Sequence, residues 1–229
     1  MKQFLFLIAL MISLSATSQK DMVSEKLEEY NFSSESLSSG LKDADAEHYF
    51  DAKLTTDDGT KIKVEEAKFD PTKNIGERWI LVSVDGNAPS NKDLKNFDKA
   101  HNTKQDDINA EVDDSSWKVE KDDDEYLVIS FKYIRESLPR KYDFLADCKG
   151  LAYFNKSKLS LEKAEFVSEK PLKIKVFNVL KLDMIVNFTY DSELDSYLIE
   201  SEEIDMDVKL LGQQISVKES YEFSNYKKK

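Results

Sequence analysis

Between Leu172 and Tyr190 the apolar side chains fall chiefly on even-numbered positions: Leu172, Ile174, Val176, Leu180, Leu182, Met184, Val186, Phe188 and Tyr190. Lys173, Lys175, Lys181, Asp183, Asn187 and Thr189 take odd ones. A period of two belongs to an extended strand with one face buried, because successive side chains point to opposite sides of the pleat. At about 3.4 Å per residue, the stretch from Leu180 to Tyr190 spans roughly 37 Å, well beyond the common strand of five or six residues. Phe177 and Val179 interrupt the alternation, so a bend or bulge is expected near Asn178. The pattern recurs in Ile204, Met206, Val208 and Leu210, turns at Gly212-Gln213, and returns through Ile215, Val217, Tyr221 and Phe223. The end of the chain therefore reads as a meander of three long antiparallel strands, oily on one side and wet on the other.

The earlier chain supplies shorter elements. Val23, Leu27 and Tyr30 make one apolar stripe of a short helix, closed by the serine run Ser33–Ser39 and Gly40. Phe50, Ala52 and Leu54 alternate into Asp57-Asp58-Gly59, and Ile62 and Val64 alternate away, which predicts a hairpin. Glu77 to Val84 is apolar on both faces and reads as a central strand covered on two sides. Ser90 is placed to N-cap a helix, with Asp93 in its first turn and Leu94 and Phe97 on its buried face. Residues 102–115 read as a long polar loop. Strands are then expected over Trp117 to Glu120, Tyr126 to Ile134, Leu151 to Asn155 and Leu159 to Val167, with a tight turn at Asn155-Lys156-Ser157-Lys158.

Residues 1–18 have the form of a secretory leader: Lys2, an apolar run from Phe4 to Leu14, and Ala16-Thr17-Ser18 ahead of an expected cleavage before Gln19. That run is well short of the roughly 20 residues a membrane-spanning helix needs, and no other stretch approaches that length without a charge, so no transmembrane segment is expected after cleavage. No cysteine stands at the junction, so an acylated N-terminus is not expected. Export would place the chain in a periplasm, with release outside as the alternative. The 33 Lys and Arg residues against 45 Asp and Glu give a net charge of −12. That sign repels phosphate backbones and anionic bilayers, which argues against nucleic-acid binding and against electrostatic adhesion to membranes. Cys148 is the only thiol, so no intramolecular disulfide forms and a buried, inert side chain is expected.

Together these elements predict a mainly β (α+β) fold. About ten strands would form a strongly curved antiparallel sheet or unclosed half-barrel, with two or three short helices across its concave face. So much one-sided strand with so little helix to cover it leaves an apolar groove that would suit a lipid or acyl chain. The candidate lining residues are Trp79, Leu81, Leu182, Met184, Val186, Phe188, Ile204 and Met206.

Four features in this order carry a resemblance: the helix ahead of the sheet; the strand Trp79-Ile80-Leu81-Val82-Ser83-Val84-Asp85-Gly86 running into Ala88-Pro89-Ser90; Leu151-Ala152-Tyr153-Phe154 with its Lys-rich turn; and the closing Tyr221-Glu222-Phe223-Ser224-Asn225-Tyr226. So ordered, the chain resembles the outer-membrane lipoprotein-sorting family, the LolA/LolB-like group, over most of residues 20–229. The resemblance implies a single half-barrel domain over residues 19–229 that holds acyl chains of lipids or lipoproteins in the periplasm. Related half-barrels act as sensors. No ligand-gating residue of the family maps onto a position here.

Catalytic signatures are missing from the sequence. His48 and His101 fall in different elements, and no Gly-x-Ser-x-Gly elbow occurs. Acidic runs such as Asp122-Asp123-Asp124 lack the spacing of a calcium loop, so no metal, cofactor or enzymatic activity is expected. The competing expectation is an envelope interaction or sensor module, its sheet fully packed and its partner another protein.

Overall fold

The computed structural model describes residues 19–32, 48–102, 110–140, 142–174, 177–193, 196–210 and 212–229. The expected leader, the serine run with Gly40, and residues 103–109 of the expected polar loop lie outside the described residues.

Among the described residues the α-helices are α1 (Gln19–Glu29) and α2 (Asn91–His101). The strands are β1 (His48–Asp57), β2 (Ile62–Phe69), β3 (Trp79–Val84), β4 (Lys118–Asp122), β5 (Tyr126–Phe131), β6 (Cys148–Asn155), β7 (Ser160–Ser168), β8 (Leu172–Ile174), β9 (Phe177–Asp191), β10 (Ser196–Leu210) and β11 (Gln213–Lys228). They form one antiparallel sheet in the order β3-β2-β1-β11-β10-β9-β7-β6-β5-β4, with β8 paired to β9. The edges β3 and β4 do not meet, which leaves an unclosed half-barrel, with two α-helices among the described residues, as the sequence predicts. The three long strands of 15, 15 and 16 residues reach about 50 Å each at 3.3–3.4 Å per residue.

α1 buries Val23 and Leu27 but ends sooner than its stripe suggests. Asn31 takes a left-handed φ of 59°. Asn31 N–H then donates to Glu28 O (3.0 Å) and Phe32 N–H to Leu27 O (2.8 Å), closing the helix as a Schellman cap. Tyr30 thus lies past the helix end, its hydroxyl donating to Asp122 (3.0 Å). α2 starts where Ser90 places it: Ser90 Oγ accepts from Asp93 N–H (3.3 Å) and Asp93 accepts from Ser90 N–H (3.0 Å), a reciprocal capping box. Phe97 is buried, but Leu94 is 39% exposed, so α2 has a narrower apolar face than expected.

The pairing corrects one sequence expectation, that of β3, and adds detail to the hairpin and to the interruption near Asn178. β3 is an edge strand, with Ile80 36% and Val82 45% exposed; its two-sided apolar composition mimics a central strand. That edge is shielded. Asn102 accepts from Trp79 N–H (3.0 Å) and donates to Trp79 O (2.8 Å), occupying groups that another chain could pair with. In β2, Leu54 stands opposite Glu65 and Ala52 opposite Ala67, so Lys63, Glu65, Ala67 and Phe69 share the face of Leu54 while Ile62 and Val64 face away. In β9, the register slips between Asp207 and Val208. The resulting bulge turns Val179 into the core and Leu180 outward, where it is 38% exposed; the interruption falls next to Asn178, as expected.

Both helices pack on the same face, here the inner one. α1 covers the larger cluster, in which Leu127, Ile129 and Phe154 are fully buried and Leu182, Phe188 and Val208 contribute from the long strands. α2 covers a smaller cluster of Phe50, Ala52, Leu54, Ala67, Phe69, Leu81 and Phe97. Cys148 is buried in β6, where loss of water pushes its thiol up to about 11, so it is unreactive at neutral pH.

Candidate functional site

The inner face of the long strands carries the pairs Leu182 opposite Met206 and Met184 opposite Ile204. One strand further, Met206 lies opposite Val217 and Ile204 opposite Glu219. Leu182 and Phe188 are buried in the larger cluster. Met184, Val186, Ile204 and Met206 are packed against that cluster but only half-buried.

The eight positions singled out in the sequence therefore share one face but divide in two. Six belong to or border the larger cluster. Trp79 and Leu81 belong with the smaller one, Leu81 buried and Trp79 half-buried against Phe50 and Phe69. At Leu81, Leu182 and Phe188 the protein's own side chains fill the wall; at the other four inner-strand positions apolar surface remains.

A polar belt crosses the inner face from β10 to β2, and it escaped the sequence reading. Glu202 lies opposite Val186 and Tyr221, Tyr221 opposite Leu54, and Leu54 opposite Glu65. Register places Glu65, Glu202, Glu219 and Tyr221 on the inner face. Burial alone raises the Glu219 carboxyl, and among the described residues no cation or donor holds it. Burial, reinforced by the charges of Glu219, Glu202 and Glu65, raises the Tyr221 phenol. Glu65 is held by Lys63 at 2.5 Å. A half-buried carboxylate without compensation, as Glu219 is, is unfavourable, and such groups concentrate at functional surfaces. Their signal was available in parity: Glu219 shares its phase with Val217 and Tyr221, and Glu202 with Ile204.

Two hollows lie elsewhere among the described residues, and none of the eight positions lines either. One, of about 750 Å³, is on the outer face between Asp51, Lys53, Glu66, Lys68, Glu200 and Glu222. Lys53 meets Glu222 there at 3.4 Å and Lys68 meets Asp51 at 4.0 Å. The other, of about 530 Å³, lies between Met22 and Val23 of α1 and Trp117 and Val119 at the start of β4. Among the described residues no group of three or more His, Cys, Asp or Glu is arranged to hold a metal ion, and no helix is long and apolar enough to cross a membrane.

No protein-family model matches the chain, and no curated protein does. Among solved structures it is similar to a LolA superfamily protein from Nitrosomonas europaea, with 17% identity, a TM-score of 0.32, and 84% of this chain and 93% of the other covered. It is also similar to a DUF1329 family protein from Desulfovibrio piger (9% identity, TM-score 0.37, 84% and 90% covered). A third similarity is to the MucA/MucB complex of Pseudomonas aeruginosa (8% identity, TM-score 0.22, 83% and 93% covered). Likeness this distant carries no ligand or partner with it.

Proposed function

We propose that the chain is a non-enzymatic carrier whose inner face shields the acyl chain of a lipid or lipoprotein, exported to the periplasm by residues 1–18 and acting there as one half-barrel domain. The observation that supports this reading is the half-buried quartet Met184, Val186, Ile204 and Met206, apolar surface on the helix-bearing face that the larger cluster covers only in part. The driving force is area. At about 25 cal/mol per Å², removing a few hundred Å² of acyl surface from water yields several kcal/mol before ordering costs. In this reading the quartet, with Leu182 and Phe188 behind it, forms the wall, and Trp79 and Leu81 continue that wall beyond the belt.

A fluorescent fatty-acid probe tests the proposal. Saturable binding at neutral pH, displaced by unlabelled fatty acid, supports it; a flat titration contradicts it. The second reading, an envelope interaction or sensor module without lipid cargo, is favoured by the charged hollow on the outer face. Failure to bind the probe together with recovery of a defined protein partner would favour that module.

A further inference from the structure

Few contacts hold α2. Of its side chains only Phe97 is buried, and His101 with the adjoining Asn102 is half-buried, while most of the remainder are exposed. A helix of 11 residues is marginal in isolation, so its order depends on docking. The His101 ring lies 4.3 Å from that of Phe97 and 5.3 Å from that of Trp79. Among the described residues its imidazole makes no hydrogen bond.

The charged groups that act on His101 from the sheet are Glu65 and Lys63 of β2. They are tied to each other at 2.5 Å, so their opposing fields largely offset. β3 contributes only the uncharged indole of Trp79 at this point. On α2 itself, Asp98 accepts from Asn102 Nδ2 (3.0 Å). The helix C-terminus favours a cation there; because α2 keeps its order only while docked, this works against release, and the loss of water by the buried ring outweighs it.

We infer that α2 is a lid latched by neutral His101, and that protonation of His101 releases it from the inner face of β1–β3. The step is a proton gain by the imidazole from solvent. A charged ring in the aromatic slot loses water without gaining a hydrogen bond, whereas on a released helix it is solvated. Burial accordingly holds the ring below its ordinary value of 6.5. For a histidine depressed in the docked state, docking is strongest above about pH 6.5 and weakens as pH falls below it. Release would bare Phe50, Phe69 and Leu81 and extend the apolar wall across the belt. This regulatory role rests on the carrier reading; the release itself does not.

Hydrogen exchange on the full chain, without ligand, tests it. After correction for the intrinsic pH dependence of exchange, amides of α2 should lose protection by up to about tenfold per pH unit below pH 6.5, while β9–β11 stay protected. His101→Phe, which preserves the ring and cannot charge, should keep α2 protected at pH 5.5 as at pH 7.5; His101→Gln serves the same purpose if the larger ring perturbs folding. Unchanged α2 protection across this range, tightening on acidification through a charged ring over Trp79, or loss that persists in both variants would overturn the proposal. Probe binding at pH 7.5 is read separately, so failure of the carrier reading and failure of the latch are distinguishable.

Discussion

Met184 on β9 and Ile204 on β10 stand directly opposite each other on the inner face, both half-buried and both packed against the larger core. A cross-strand pair of this kind ordinarily stabilises its sheet by packing. Here the uncovered part of the pair is free to pack against something else. Ile204→Lys puts a charge into that surface while its long stem can still reach water. The expected outcome is at least a tenfold loss of fatty-acid probe affinity, with a stability cost of about 1 kcal/mol or less in urea titration.

The edge of β3 makes a different prediction. Asn102 occupies both the N–H and the C=O of Trp79. Asn102→Ala leaves these groups without that partner, at a cost of about 1–3 kcal/mol, and opens a strand whose Ile80 and Val82 are already exposed. Lower denaturation midpoints and concentration-dependent self-association in sedimentation are expected. Asn102→Asp should restore the bond from Trp79 N–H but not the one to Trp79 O, and so fall between the two.

Glu219 gives the pH dependence an unusual sign. Its carboxyl is raised in the folded chain, so the folded state binds the proton more tightly, and the destabilisation it causes is fully present above the folded value. That destabilisation fades as pH falls to about 4.5 and below, where the unfolded carboxyl is protonated too. Glu219→Gln should therefore stabilise the protein at pH 7 and have little effect near pH 4 in thermal melts. Glu120 behaves oppositely. Hydrogen bonds from Lys149 and Ser130 hold it down to about 2, so its contribution is present above about 4.5 and lost as pH falls toward 2.

Much of this architecture was legible because the long strands hide one face each. Leu182, Met184, Val186 and Phe188 announce their phase without ambiguity, and Ser90 with Asp93 announces the start of α2. The misreadings arose where local composition and pairing disagree. Trp79 to Val84 is apolar on both faces, yet lies at an edge protected by Asn102, a residue 23 positions away in sequence and invisible to any local pattern. Ile62 and Val64 look like core, but the pairing of Leu54 with Glu65 turns them outward. The belt was missed for the same reason: acidic residues in phase with apolar ones read as surface until cross-strand register joins Glu65, Glu202 and Glu219 around Tyr221.

The central claim is that the inner face holds an acyl chain, and native mass spectrometry tests it most directly. Protein expressed from the full sequence and purified without detergent should carry an adduct of lipid mass, or gain one stoichiometrically on incubation with fatty acid, and Ile204→Lys should abolish it. A spectrum showing only the apo mass under both conditions would contradict the account.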